Sequence, residues 1–170
     1  MSESIKIVPE KIQLTSIRIL GGHITADPSI DPNNVVGYNV QYGIKDEFYL
    51  QTKSFKFILT VFINALDEKD QQLDAKGEYN IEYVFVVENL EYYIENKNEP
   101  KNRVILHNVL LHTLLSIVYS TSRGIILSRT QGTSLDGVIL PVIDTNLLLK
   151  QLDERNKQLQ LSENEPKQLL

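Results

Sequence analysis

The 170-residue chain predicts an α+β fold, in which a four-stranded antiparallel sheet is followed by a long helix and a short C-terminal helix. Three observations carry the prediction. Four segments before residue 100 repeat their apolar residues with a period of two, the run from Asn102 to Arg123 is apolar nearly all round, and a Leu-rich stretch after Pro141 returns to helical spacing. Strands first and helices after is the order of an α+β domain.

In the first strand, Ile12 to Thr25, residues Thr15, Ile17 and Ile19 alternate with Ser16, Arg18 and Leu20, and Gly21-Gly22 predicts a bulge or bend. Asp27-Pro28-Ser29-Ile30-Asp31-Pro32-Asn33-Asn34 is a crossover loop, because two prolines fix φ, remove donors and push their preceding residues out of helix. The second strand, Val36 to Phe48, places Val36, Tyr38, Val40, Tyr42 and Ile44 on one face and Gly37, Asn39, Gln41, Gly43 and Lys45 on the other, the pattern of a sheet wet on one side. The third, Ser54 to Leu66, carries Phe55, Phe57, Leu59, Val61, Ile63 and Ala65 on one face but Ile58, Phe62 and Leu66 on the other, so both faces need cover. The fourth, Glu78 to Glu88, lines one face with Tyr79, Ile81, Tyr83, Phe85 and Val87. The connection from Asp67 to Gly77 has the composition of a hairpin tip.

Asn102 is the expected N-cap of the long helix, with Pro100 just before it. Between Val104 and Val118 the clearly polar residues are His107, Asn108, His112, Thr113 and Ser116, and they do not gather on one face. Such a helix has no natural solvent side and must be covered on several sides. Its apolar run of about 15 residues is short of the roughly 20 that cross a bilayer, so no membrane insertion is expected. Met1 to Lys11 lacks the apolar core of a secretory signal, and the chain has no cysteine, so a cytoplasmic location is expected. Gly124, behind Arg123, is expected to end the helix in a left-handed cap. Ile125 to Val138 then forms a semi-extended loop, and Asp144 or Thr145 caps a final helix with Leu147, Leu148 and Leu152 as its apolar stripe. The chain thus divides into an N-terminal segment, 1–11, one domain, 12–152, and a polar flexible tail, 153–170, too poor in apolar residues to offset its ordering entropy.

The formal net charge of -5 and a pI near 5.2 argue against nucleic acid, whose binding needs a concentrated basic surface. Lys97, Lys101 and Arg103 form only a loose basic group, without interleaved aromatics. His107 and His112 fall on different faces of a helix and cannot pair as metal ligands. Gly132-Thr133-Ser134-Leu135-Asp136-Gly137 has one residue too many for a nucleophile elbow, and a calcium loop opening at Asp67 would have Lys69 and Gln72 where a ligand and a glycine belong. No catalytic residue, metal or cofactor is expected, and the chain does not read as an enzyme. What remains is an excess of apolar surface, including Ile125-Ile126-Leu127 and Val138-Ile139-Leu140 in the loops, and surplus of this kind marks interaction sites.

The order of elements, together with Ser122-Arg123-Gly124 and Leu140-Pro141-Val142-Ile143-Asp144, resembles the SecB family of export chaperones over about residues 12 to 152. The resemblance implies a homotetramer, a dimer of dimers, with Leu106, Leu110, Leu114 and Ile117 of the long helix at the interface. It further implies ATP-independent holding of unfolded or precursor polypeptides in hydrophobic grooves. The client-binding residues would be Ile125, Ile126, Leu127, Leu135, Ile139, Leu147, Leu148 and His112. His112 and Leu148 stand where the family places aromatics, which makes this groove more aliphatic. Each client segment would gain roughly 25 cal/mol per Å² of apolar area buried, spread over weak subsites that give broad specificity. Family members that deliver clients to the SecA translocase motor use acidic residues on the exposed sheet face. A gap-free match puts Gly22, Ala26 and Val84 at those positions, leaving Glu82 and Glu88 as the candidate motor-facing acids. Protein export is the role the resemblance implies first, and chaperoning the antitoxin of a toxin–antitoxin pair, as other SecB-like proteins do, is the alternative. Outside the family, a hotdog-type enzyme is disfavoured because the helix follows all four strands and no Asp or Glu lies between Val104 and Val118, while a purely structural homo-oligomer would use the same surface without a client.

Overall fold

The computed structural model describes residues 5–95 and 106–154. Period-two sequence becomes pleat: β1 (Ile12–Ala26), β2 (Gly37–Tyr49), β3 (Ser54–Leu66) and β4 (Gln72–Val87) form one sheet in the order β1-β4-β3-β2, with every neighbouring pair antiparallel. β1 carries two extra residues, Thr15 and Leu20, at its register shifts, the second beside Gly21-Gly22 where a bulge was expected. β2 pairs with β3 through all its length without a shift.

β4 begins six residues earlier than its composition predicts, because Gln72, Asp74 and Lys76 are the polar half of an alternation whose other half is Leu73, Ala75 and Gly77. The hairpin turn is therefore short. Asp67 closes it by accepting the amides of Lys69 and Gln71 on one carboxylate oxygen, at 2.8 and 2.9 Å, and Asp70 takes a left-handed φ of 57°.

The long helix, α1, runs Asn108–Thr130, displaced from the expected Asn102–Arg123 at both ends. Leu106 forms a bridge with Ile94, and the His107 amide donates to the Tyr93 carbonyl at 2.8 Å, which holds the chain extended up to the first turn. Gly124 does not end the helix. A glycine inside a helix costs about 1 kcal/mol relative to Ala, whereas continuing past it buries Ile126, a gain of roughly 1.5–3 kcal/mol. The left-handed glycines are Gly132 and Gly137, at φ of 71° and 82°. Asn102, Lys97, Lys101, Arg103 and the tail from residue 155 lie outside the described residues.

α1 has a solvent side after all. Leu110, Leu114, Val118, Ser122, Ile126 and Thr130 form a buried stripe, widened by Leu115 and Tyr119, while Ser116, Ser120, Gly124 and Ser128 line the exposed side. At 23 residues the helix is long and apolar enough to cross a membrane, but its buried stripe packs on β3 and β4. Beneath it lie Phe57, Leu59, Val61, Ile81, Tyr83 and Phe85, all fully buried, with the Tyr83 phenol hydrogen-bonded to Ser122. A second helix, α2, occupies 146–154 and buries Leu148, Leu149 and Leu152. Residues 5–11 also pack on the core through Ile5 and Ile7, and the Val8 amide donates to the Tyr93 phenol at 3.2 Å.

Candidate functional site

Between α1 and α2, residues 131–145 run as a strap that meets β4 at Gly77 and β2 at Tyr38. The strap is irregular, so its carbonyls need partners from elsewhere. Side chains supply them: the Tyr38 phenol donates to the Asp136 carbonyl at 2.7 Å, Arg123 Nε to the Leu140 carbonyl at 2.9 Å, and the Tyr119 phenol to the Pro141 carbonyl at 2.7 Å. The Tyr42 phenol backs Tyr119 at 2.7 Å. At the far end His112 Nδ1 and the Thr145 hydroxyl are 3.1 Å apart, and Asp144 accepts the Asn146 amide at 2.9 Å, capping α2. The amide and side chain of Asn146 hold the Asp144 carboxyl below its usual range, whereas burial pushes the phenols of Tyr38, Tyr42 and Tyr119 up, Tyr119 most of all.

The side chains of the strap divide by direction. Leu135, Val138 and Leu140 point down and are fully buried. Leu135 sits over bare backbone: a Cβ on Gly77 would stand 2.8 Å from its Cδ1, so the close approach requires glycine. Ile139 at 63%, Val142 at 84% and, at the start of α2, Leu147 at 54% exposure point outward. Three branched apolar side chains thus stand in solvent on a backbone pinned from beneath.

The groove residues expected from sequence separate accordingly. Leu127, Ile139 and Leu147 are exposed, Ile125 and His112 are half-buried, and Ile126, Leu135 and Leu148 are buried in the core of the single chain. Ile125, Ile126 and Leu127 belong to α1 and not to a loop, because the helix runs through Gly124. Val142, outside that expected set, is the most exposed large apolar residue of the strap. Its signal lay in the run Val138 to Val142, where inward and outward residues alternate until Pro141 breaks the order. Of the helix residues assigned to an interface, Leu110 and Leu114 are fully buried in their own chain's core, while Leu106 and Ile117 are half-buried.

The opposite sheet face sets paired charges around an apolar strip of Ile58, Phe62, Val84 and Val86, of which Phe62 is exposed. Glu82 is only 5% exposed because Arg18 covers it, with Nη2 at 2.6 Å and Nε at 2.8 Å from one carboxylate oxygen. Glu88 accepts from Lys11 Nζ at 2.8 Å and from the Gln13 side chain at 2.9 Å, just past the end of β4. Glu47 pairs with Lys56, and Glu78 lies 4.0 Å from His23. On the helix side, the edge strand β1 leaves Leu14, Ile17 and Ile19 exposed beyond the reach of α1. Among the described residues no group of three or more His, Asp or Glu side chains is placed to hold a metal ion.

No family model matches the chain, and no curated protein shows significant similarity to it. Among solved structures it is similar in fold to the SecB-like chaperone Rv1957 of Mycobacterium tuberculosis, determined in complex with a ChAD peptide from the Rv1956 HigA1 antitoxin. The two superpose with a TM-score of 0.57 at 13% identity, over 79% of this chain and 92% of that one. The fold is SecB-like and the sequence divergent.

Proposed function

We propose that this chain is an ATP-independent holdase chaperone of the cytoplasm that binds apolar segments of unfolded polypeptides. The observation that carries the reading is the outward pair Ile139 and Val142 on a strap whose backbone is clamped, with Leu147 exposed beside it at the start of α2. Exposed branched side chains weaken a monomer's solubility, and a fold keeps them where they meet a partner. Contact with them is aliphatic and without hydrogen-bond directionality, which suits clients of varied sequence. The fold likeness to a SecB-like chaperone supports the same reading.

Between the two client classes, a dedicated partner of the antitoxin kind is favoured over general export. Glu82, Glu88 and Glu47 are each matched by an Arg or Lys, so these acids offer a translocase motor such as SecA little net charge. The solved neighbour, moreover, holds an antitoxin peptide. Assembly as a homotetramer, a dimer of dimers, would cover Leu14, Ile17 and Ile19 of β1 and the outer side of α1.

The test mixes the purified protein with an aggregation-prone unfolded client at near-stoichiometric tetramer, without ATP, and follows light scattering, with mass measured by multi-angle scattering. Suppression by a tetramer is expected. No suppression from a monomeric protein overturns the reading. An antitoxin held in preference to a signal-bearing precursor supports the dedicated role, and the reverse preference supports export.

A further inference from the structure

Arg123 stands on the side of α1 that faces the strap, at helical spacing from His112 and Tyr119, which meet Thr145 and the Pro141 carbonyl from the same side. It is not on the serine side that assembly would cover. Its guanidinium is used only in part. Nε donates to the Leu140 carbonyl at 2.9 Å, while neither Nη nitrogen has a hydrogen-bond or ion-pair partner among the described residues. The buried side-chain atom left without a partner among those residues is Asn89 Oδ1, so the Nη groups of the half-buried Arg123 are open to solvent. The strap's own acids are turned elsewhere: the Asp136 carboxylate accepts the Gly132 amide at 3.2 Å, and that of Asp144 accepts from Asn146. A cation drawn partly out of water is costly unless an anion offsets the loss, as Glu82 does for Arg18. In a chain of net charge -5, Arg123 is left without one. Because Nε is bonded to residue 140, the open end of the guanidinium is held beside the stretch that carries Ile139 and Val142 outward.

We propose that Arg123 sets the specificity of the client surface: a client segment that lays apolar side chains on Ile139 and Val142 places an acidic side chain on the Arg123 Nη groups. The inference rests on the holdase reading and narrows the client to an apolar segment interrupted by an acid. The paired Nη groups meet both oxygens of one carboxylate through parallel hydrogen bonds, a fork that an ammonium does not offer. A main-chain carbonyl has a single oxygen and no charge, and every segment carries one, so it would not select. The strap thus gains one directional contact among its aliphatic ones.

Three peptides that differ at one position test it: N-acetyl-Ser-Leu-Val-Asp-Leu-Val-Ser-amide and the same sequence with Asn or Lys in place of Asp. Each competes with a fluorescently labelled unfolded client for the full chain, followed by anisotropy, and suppression of client aggregation is measured on the same preparation. The Asp peptide should bind about fivefold more tightly than the Asn peptide, and the Lys peptide more weakly than both. R123Q should bring Asp and Asn level, whereas R123K should keep their order with a smaller gap. K150Q, which removes an exposed cation of α2, should leave the gap unchanged. If circular dichroism shows R123Q unfolded, the wild-type series and R123K decide. Equal binding of the Asp and Asn peptides, or no competition by any of them, with suppression intact overturns this proposal alone. Loss of suppression as well overturns the holdase reading with it. An equal weakening of all three peptides in R123Q that leaves the Asp–Asn gap in place makes Arg123 a clamp of the strap only, and overturns the proposal too.

Discussion

Tyr42 and Tyr119 share a hydrogen bond of 2.7 Å between their phenol oxygens, with the rings edge to face at 5.4 Å. Because the one hydroxyl proton of Tyr119 goes to the Pro141 carbonyl, Tyr42 must be the donor in the pair. The strap is therefore held by a directed relay from β2 through α1. Tyr119→Phe strips a partner from both Tyr42 and Pro141 and should cost about 1–3 kcal/mol in urea unfolding. Client suppression should fall while far-UV circular dichroism stays native.

The phenols set an alkaline limit. Burial raises the folded-state pKa of Tyr83 and Tyr119 above the ordinary value near 10. A raised pKa means that stability is fully present below pH of about 10 and is lost above it, where the unfolded chain releases protons that the folded one keeps. Each such group should contribute a fall of about 1.4 kcal/mol per pH unit there. Unfolding midpoints measured from pH 7 to 11, with tyrosinate absorbance recorded in parallel, check this, and Tyr119→Phe should flatten the curve.

Outward residues of the strap and an inward residue of α2 should separate stability from function. Val142→Asp and Ile139→Asp change exposed positions and should alter stability by no more than about 0.5 kcal/mol while reducing suppression of aggregation. Leu148→Ala, at a position 1% exposed, should cost about 2–5 kcal/mol and lose activity only through unfolding. Equilibrium unfolding and light scattering on the same preparations distinguish the two classes.

Gly77 and Leu135 should behave as a coupled pair. Gly77→Ala drives a methyl into Leu135 Cδ1 and should cost about 1–3 kcal/mol. In a Leu135→Ala background the clash is gone, so the same substitution should cost less, and a double-mutant cycle in urea reads the difference.

The sheet was legible because its alternation is unambiguous: β3 begins and ends at the predicted residues, and β2 is off by one. The helix boundaries were not. Gly124 behind Arg123 has the local chemistry of a cap, and only the burial of Ile126 and Thr130 against the sheet shows why the helix continues. Ser116, Ser120 and Ser128 separate a solvent side from a buried one, but scattered among leucines they left no visible stripe. The site was half legible for a related reason. Apolarity marks Leu148 and Val142 alike, and which of them faces the core depends on how the strap is clamped by tyrosines distant in sequence. The concealment of Glu82 was equally invisible, since it follows from the pairing of Arg18 with it across β1 and β4.

The three clamps on the strap all grip main-chain carbonyls, those of Asp136, Leu140 and Pro141. Every residue type has that carbonyl. The path of the strap is thereby uncoupled from the identity of the side chains at 139 and 142, and mutation can rewrite what this surface recognises while the scaffold stays as it is. A dedicated chaperone that must follow a changing partner gains from such freedom, since altered taste for a client does not require a refolded protein.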